Sequence, residues 1–249
     1  MLKTRVIPCL TVKDLRLVKS VRFAEHRNIG NIIAAVRVFN GRDVDEMAFL
    51  DLDASVSGLK TELLRDAAKE CFMPLAIGGG IRTLVDVQTA LNAGADKVIV
   101  DSAALARPEL IDEASSRYGC QCVVVSIDAR KVGDGYEVFG DSGRTATGRT
   151  PDAWAAEAER RGAGEILLTS IDRDGTMEGY DIELVSRVTS AVHIPVIACG
   201  GAGSLDHFVQ AVREGGASAV AAASIFQYTQ VTPANVKDFL RANGIDTRI

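Results

Sequence analysis

Eight short apolar runs recur along the chain at intervals of about thirty residues, and this repeat restricts the possible folds more than any other feature. The runs are rich in Val, Ile, Leu and Ala. They occupy residues 6–10, 47–52, 74–77, 97–100, 122–127, 166–170, 195–198 and 219–223. Continuous apolar runs, unlike alternating ones, are typical of strands buried on both faces of a parallel sheet.

Amphipathic segments with helical spacing lie between these runs. They cover residues 84–93, 108–118, 152–161, 182–192, 205–214 and 233–242. A chain of 249 residues has a suitable length for one barrel of alternating strands and helices. The alternation predicts an α/β fold in which residues 1–249 form a single (β/α)8 TIM barrel; a doubly wound sheet is the alternative.

Two segments interrupt the alternation. Residues 132–143, which include GDGYEVFGDSG, predict a small hairpin inserted after the fifth strand. Insertions at this edge usually shape a site. Residues 13–30 have mixed charge and no clear periodicity, which indicates a mobile loop after the first strand.

The chain also repeats itself after about 120 residues, which predicts a duplicated half-barrel. The turn Gly78-Gly79-Gly80 recurs as Gly200-Gly201-Ala202-Gly203, and GADKVIVDSAAL recurs as GASAVAAASIF. Glycine-rich turns let backbone N–H groups approach a phosphate closely. A tight strand-to-helix turn explains each glycine cluster alone equally well. Their pairing favours two anion sites and a substrate with a phosphate at each end.

Composition excludes several classes of protein. The net charge is −5 and no block of Lys or Arg is present, which argues against nucleic acid or an anionic membrane as partner. No apolar run is long enough for a signal peptide or a membrane span, so we expect a cytoplasmic protein. The five cysteines show no metal-ligand spacing, and no nucleotide-binding GxGxxG follows the first strand. We expect reduced thiols, no metal and no cofactor.

Carboxylates at the ends of the predicted strands are the candidate acid–base groups. They are Asp51, Asp128, Asp172 and Asp174. Asp128 directly follows a buried run, where partial loss of solvent raises a carboxyl pKa into a useful range. The alternative for Asp128 is a solvated carboxylate at the rim. Lys19 lies in the segment after the first strand, as a group on a lid or as a surface lysine.

Four charged residues precede the strands at the opposite end of the barrel. They are Arg5, Glu46, Lys97 and Glu165, which we call the base ring. Their alternating signs allow a closed ring at the bottom of the barrel. On the residues alone, four unrelated solvated charges are the favoured interpretation.

Several motifs together resemble the HisF family, the cyclase subunits of imidazole glycerol phosphate synthase. They are RVIPCL (5–10), FLDLDAS (49–55), GGGIRT (78–83), VVVSIDA (123–129), GAGEILLTSIDRDGTMEGYD (162–181) and GGAG (200–203). The resemblance covers essentially the whole chain. It implies a (β/α)8 barrel that binds a HisH-type glutaminase at its N-terminal face and receives ammonia through the barrel axis.

The resemblance also implies roles for individual residues. The base ring matches the family's ammonia gate, Asp128 matches one of two catalytic aspartates, and Lys19 matches the lysine of the first loop. The implied phosphate-binding residues are Gly80, Ser102, Asp174, Gly175, Gly201, Ala223 and Ser224.

The chain departs from the family at the end of the first strand, where Thr11 replaces the other catalytic aspartate. A threonine hydroxyl does not replace a carboxylate as a general acid or base. Cys199 replaces a serine, and Asp101 replaces an asparagine beside a phosphate. A carboxylate at Asp101 would repel a phosphate bound there.

The chain lacks one catalytic acid but retains the base ring at the other end of the barrel. This combination resembles a branch of HisF-like proteins associated with sugar amidation. Our leading hypothesis is therefore an ammonia-channelling subunit that serves a separate amidotransferase acting on a nucleotide-linked sugar for surface polysaccharides. One alternative is a genuine cyclase of histidine biosynthesis, which converts ammonia and the bis-phosphate PRFAR to imidazole glycerol phosphate and AICAR. In that case Asp128 and a water, aided by Asp53 or Asp101, would cover for the missing acid. A further alternative is a non-catalytic scaffold that activates the glutaminase.

Overall fold

The structure, a computed structural model, describes residues 3–248 apart from the side chain of Ser55. The strands are β1 (Arg5–Lys13), β2 (Arg16–Val21), β3 (Ala24–Gly30), β4 (Met47–Asp51), β5 (Leu75–Gly78), β6 (Lys97–Val100), β7 (Val123–Val132), β8 (Gly135–Gly140), β9 (Thr145–Ala146), β10 (Glu165–Ser170), β11 (Val196–Cys199) and β12 (Ala219–Ala222). The helices are α1 (Ile32–Asn40), α2 (Ala54–Ser57), α3 (Thr61–Glu70), α4 (Leu84–Asn92), α5 (Ser102–Ala106), α6 (Glu109–Tyr118), α7 (Pro151–Arg160), α8 (Ile182–Thr189), α9 (Leu205–Arg213), α10 (Ser224–Tyr228) and α11 (Pro233–Ala242).

Eight of the strands pair in parallel and close into a barrel. Their order around the barrel is β1, β4, β5, β6, β7, β10, β11 and β12, and β12 pairs again with β1. Helices connect successive barrel strands. The predicted (β/α)8 barrel is confirmed, and the doubly wound alternative is wrong.

The barrel has an inner and an outer apolar layer. The inner cluster comprises Ile7, Cys9, Ala48, Ala76, Ile99, Val124, Leu167, Ile197, Ala219 and Ala221. The outer layer lies between strands and helices, where Trp154 and Phe208 are fully buried. Because side chains alternate along a strand, residues two or four positions beyond the inner cluster also face the interior, near the carboxyl ends of the strands.

Two antiparallel hairpins stand on that carboxyl end. The predicted hairpin after the fifth barrel strand is present, because β7 continues past the barrel to Val132 and turns back into β8. The expected mobile loop after β1 is instead a second hairpin, formed by β2 and β3. Pairing of β2 with β1 and a 2.9 Å hydrogen bond from Arg22 N–H to the Asp174 carbonyl attach it to the barrel.

In the described part of the chain, residues 3–248, none of the helices combines the length and apolar character needed to cross a membrane.

Candidate functional site

The carboxyl ends of the barrel strands surround one pocket, which we call the mouth pocket. The predicted site residues that line it are Thr11, Lys19, Gly80, Ser102, Asp128, Asp174, Gly175, Gly201, Ala223 and Ser224. The fold therefore brings together every residue that the resemblance to the HisF family assigns to this end of the barrel. Asp172, a further candidate acid, lies beside the β7–β8 hairpin, where its carboxylate accepts a hydrogen bond of 2.9 Å from Lys131 N–H.

Asp128 is buried in the wall of the mouth pocket, so it is not a solvated carboxylate at the rim. It stands beside Thr169 in the β7–β10 register. Burial raises the pKa of Asp128 well above its ordinary value, and the negative charges of Asp101 and Asp174 raise it further. Asp128 therefore favours its protonated form more than an exposed aspartate does, as a general acid requires.

Asp101 lies one strand away, at the start of α5. Its Oδ2 accepts a hydrogen bond of 3.0 Å from Ser102 Oγ, which in turn accepts one of 2.8 Å from Asp141 N–H. The hairpin after β7 thus contacts the floor of the pocket through Asp141. Burial raises the pKa of Asp101 to about 6, and the charge of Asp141 adds to the rise.

The β2–β3 hairpin carries Lys19 into the mouth pocket, where the residue is buried. Burial lowers the pKa of Lys19, against the opposing effect of Cys9 and Asp174. Asp174 accepts a hydrogen bond of 3.2 Å from Ser20 Oγ. Burial raises the pKa of Asp174, and Lys19 opposes that rise. Lys19 is therefore a buried lysine of the β2–β3 hairpin that interacts with Asp174 in the loop after β10.

Thr11 faces the mouth pocket, but its hydroxyl is occupied. Thr11 Oγ1 donates a hydrogen bond of 2.5 Å to the Val18 carbonyl on the hairpin. Strand β4, which pairs with β1, ends at Asp51. The Oδ1 atom of Asp51 accepts a 3.0 Å hydrogen bond from Lys60 Nζ. Burial, together with a hydrogen bond to Asp53, raises the pKa of Asp51 to about 6.

The two glycine turns have the same construction. Gly79 and Gly201 have φ angles of +102° and +106°, which L-residues rarely adopt. A Cβ at Gly79 would lie 2.2 Å from the Asp51 carbonyl oxygen, and one at Gly201 would lie 2.1 Å from the Gly179 carbonyl oxygen. Each turn therefore requires glycine because the backbone of a neighbouring segment, the end of β4 or the loop after β10, packs directly against it.

The base ring is a closed set of ion pairs at the opposite end of the barrel. Arg5 contacts Glu46 at 2.6 Å and Glu165 at 3.0 Å, and Lys97 contacts the same two glutamates at 2.8 and 3.0 Å. The side chains are at most 14% exposed. The interpretation as four unrelated solvated charges is therefore wrong.

Sequence reasoning missed the polar support behind the base ring. Lys237 of α11 is 1% exposed, and its Nζ lies 3.0 Å from Asp45 Oδ1. Asp45 Oδ2 accepts a 2.9 Å hydrogen bond from Val6 N–H, next to Arg5. A lysine on the apolar stripe of the last helix was the available signal. Asp141 was also missed, although the predicted hairpin insertion pointed to its segment.

Within residues 3–248, no group of three or more His, Cys, Asp or Glu side chains is arranged to hold a metal ion.

Fold and site together define a (β/α)8-barrel protein with an acid-lined pocket between two glycine turns at one end and a closed ion-pair ring at the other. The model of the family described as "Histidine biosynthesis protein" matches residues 5–232, and the chain belongs to this family. The chain is 52% identical to the "Imidazole glycerol phosphate synthase subunit HisF" of Hyphomonas neptunium (strain ATCC 15444), over 100% of this chain and 99% of that relative. The resemblance to the HisF family is thus confirmed.

The leading hypothesis of an ammonia-channelling subunit for sugar amidation is wrong. A relative of 52% identity over the full chain is named for imidazole glycerol phosphate synthase, which favours the histidine biosynthesis alternative. The expected sugar amidotransferase partner is withdrawn with that hypothesis. The inference from Thr11 treated one lost carboxylate as loss of function, although other carboxyl groups line the mouth pocket.

Proposed function

We propose that this chain is the cyclase subunit of an imidazole glycerol phosphate synthase. In this role it combines ammonia with the bis-phosphate PRFAR and releases imidazole glycerol phosphate and AICAR. The observation that carries the proposal is the mouth pocket itself, which joins both glycine turns to the buried Asp128. The name and full-length similarity of the Hyphomonas relative agree with it.

The proposal assigns one phosphate of the substrate to each glycine turn. Gly80 and Ser102 serve the first phosphate. The residues assigned to the second are Asp174, Gly175, Gly201, Ala223 and Ser224. Backbone N–H groups in such turns bind phosphate without a basic side chain. A doubly phosphorylated substrate would therefore span the mouth pocket, with its reacting centre between the turns.

Asp128 and Lys19 are the proposed proton-transfer groups at that centre. The raised pKa of Asp128 suits a group that gives a proton to the substrate and later recovers it. The lowered pKa of Lys19 brings its ammonium closer to the range in which it exchanges a proton. Both side chains are buried, which strengthens their electrostatic effect on a substrate.

The proposal places a HisH-type glutaminase at the end of the barrel that carries the base ring. Ammonia would pass the base ring and follow the barrel axis to the mouth pocket. The inner cluster supports this route, because it includes small side chains such as Ala48, Ala76 and Ala219. Stimulation of glutamine hydrolysis on mixing the two proteins, coupled to turnover of PRFAR, tests the pairing. Unchanged glutamine hydrolysis would contradict it.

The cyclase proposal is tested by incubating the purified chain with PRFAR and ammonium chloride and measuring release of AICAR. We expect turnover that Asp128→Asn lowers by about 10²–10⁴-fold, the usual contribution of a general acid or base. Asp134→Asn, at the exposed tip of the β7–β8 hairpin, is the matched control and should keep wild-type activity. Absence of turnover by the wild-type chain would refute the proposal.

A further inference from the structure

The acids of the mouth pocket differ in whether a cation accompanies them. The pocket is lined by Asp51, Asp101, Asp128, Asp141 and Asp174. Three of these acids have a basic neighbour: Lys60 lies 3.0 Å from Asp51, Arg144 lies 2.7 Å from Asp141, and Lys19 opposes the pKa rise of Asp174. Within residues 3–248, Asp101 and Asp128 form no ion pair with a basic side chain.

Asp101 and Asp128 face the same part of the pocket from adjacent strands. Val100 of β6 is aligned with Val125 of β7, so the same register places Asp101 beside residue 126 and two residues before Asp128. Ile99 and Val124 belong to the inner cluster. Because side chains alternate along a strand, Asp101 and Asp128 point inward as these residues do.

The two oxygens of Asp101 have different environments. Oδ2 accepts the hydrogen bond from Ser102 Oγ, whereas Oδ1 is buried and, among the described residues, has no hydrogen-bond partner. A buried carboxylate oxygen without a partner is costly. A proton on Asp101 lowers that cost, because a neutral carboxyl group is cheaper to bury than a charged one. The negative charge of Asp101 also opposes ionisation of Asp128, which favours one proton for the two carboxyl groups.

We propose that Asp101 and Asp128 hold one proton between them and together act as the acid–base pair of the reaction. The protonated member gives its proton to a substrate atom, and the ionised member takes a proton from another substrate atom. The pair therefore ends the step with the same number of protons. This inference rests on the proposed cyclase function and supplies the second carboxyl group that Thr11 does not provide.

Other charged groups also face the pair. Asp141 lines the same pocket from the turn after β8, Asp174 from the loop after β10, Lys19 from β2 and Cys9 from β1. These groups remain in a variant that changes Asp101 alone. A change in the titration of Asp128 on replacement of Asp101 therefore reports the electrostatic interaction between these two carboxyl groups.

The first test is titration of the two carboxyl groups by NMR of protein with ¹³C-labelled aspartate carboxyls. Asp101→Asn and Asp128→Asn variants identify the signals. In the wild-type chain we expect two separate protonation steps. In Asp101→Asn we expect one step for Asp128, at a lower pH than its upper step in the wild type. An Asp128 titration unchanged by Asp101→Asn would overturn the proposal, whether or not the chain proves to be a cyclase.

The second test is ammonia-dependent turnover of PRFAR. Asp101→Asn keeps the size and shape of the side chain but cannot exchange a proton, so we expect kcat to fall at least a hundredfold, whatever the loss of its charge does to KM. We also expect the kcat–pH profile to lose one limb. The double variant Asp101→Asn with Thr11→Asp returns a carboxyl group to the pocket and should recover at least tenfold.

Two outcomes of the turnover assay separate the two proposals. Normal turnover and an unchanged pH profile in Asp101→Asn would overturn the acid–base pair and leave the cyclase function standing. No turnover by the wild-type chain would overturn the cyclase function, and the NMR titration would still decide whether the proton is shared. Asp134→Asn again serves as the control, with wild-type kcat and pH profile expected.

Discussion

Asp101 and Ala223 occupy equivalent positions in the two halves of the barrel. Each directly precedes a five-residue helix whose first residue is a serine, and both have a φ of −132°. The repeat therefore reproduces the backbone of the turn, but only the first half places a carboxylate there. Asp101 follows the strand adjacent to that of Asp128, whereas Ala223 places no carboxylate at the equivalent position of the second turn. Under the two proposals above, the second turn would be the better phosphate site and the first would carry the acid–base chemistry.

The base ring divides differently between the halves. Glu46, just before β4, and Glu165, at the start of β10, occupy equivalent positions in the two halves. Both form ion pairs with Lys97. The cations come from the first half alone: Arg5 belongs to β1 and Lys97 to β6. In the sequence repeat, Ala219 of the second half is equivalent to Lys97 of the first. The ring therefore depends on positive charges that one half supplies to both glutamates.

The most direct test of the difference between the two turns places an aspartate at Ala223, the position equivalent to Asp101. We expect Ala223→Asp to raise KM for PRFAR at least a hundredfold, because a carboxylate about 4 Å from a phosphate costs about 4 kcal/mol at an effective dielectric constant of 20. Steady-state kinetics with ammonium chloride measure the effect. Ala223→Asn has a similar volume without the charge and should raise KM much less. Equal KM values for the two variants would remove the proposed phosphate from this turn.

Removing one cation of the base ring tests the asymmetry at the other end. We expect Lys97→Met to lower the free energy of unfolding by about 3 kcal/mol, because two largely buried glutamates would then share Arg5 alone. Urea denaturation measures it. Lys131→Met removes an exposed pair with Glu183 and should cost less than about 1 kcal/mol. Similar losses in both variants would show that the base ring contributes no more than a surface pair.

Replacement of glycine should destabilise the two glycine turns equally, which tests whether their backbones are equivalent. We expect Gly79→Ala and Gly201→Ala each to lower the free energy of unfolding by about 2 kcal/mol or more, from the left-handed backbone and the contact with a carbonyl oxygen. Gly133→Ala, at φ +56° with open space around it, should cost about 1 kcal/mol. A large difference between the two turns would contradict their equivalence.

The smallest effect concerns the pH dependence of stability. The pKa of Asp101 rises from 3.8 unfolded to about 6 folded, so its contribution is complete below pH 3.8 and is lost as pH rises through about 6. After discounting for solvent at the mouth, we expect about 1–2 kcal/mol over this window. Asp101→Asn should remove this part of the slope in urea denaturation between pH 4 and 7. Asp134→Asn should leave it intact, and identical slopes in all three proteins would contradict the assignment.

Apolar runs were enough to predict the barrel, with some elements placed to the residue. Strand β6 and helix α11 match the predicted residues 97–100 and 233–242. The hairpin after β7 was also predicted, because its glycines and alternation are local signals. The β2–β3 hairpin was not, since β3 is almost entirely exposed and lacks an apolar face. The stability of this hairpin depends on the pairing of β3 with β2, which no local sequence pattern predicts.

For the site, the sequence by itself determined which residues would meet at the mouth of the barrel. Strand ends converge in a (β/α)8 barrel regardless of loop detail, so Asp128 and both glycine turns were predicted together, whereas Lys19 was assigned only through the resemblance to the HisF family. Only the tertiary structure decided which acids have a cation beside them and that Thr11 donates to the hairpin. It also closed the base ring from residues up to 160 positions apart. Burial and charge neighbours depend on contacts between distant segments, and these set the protonation of Asp101 and Asp128.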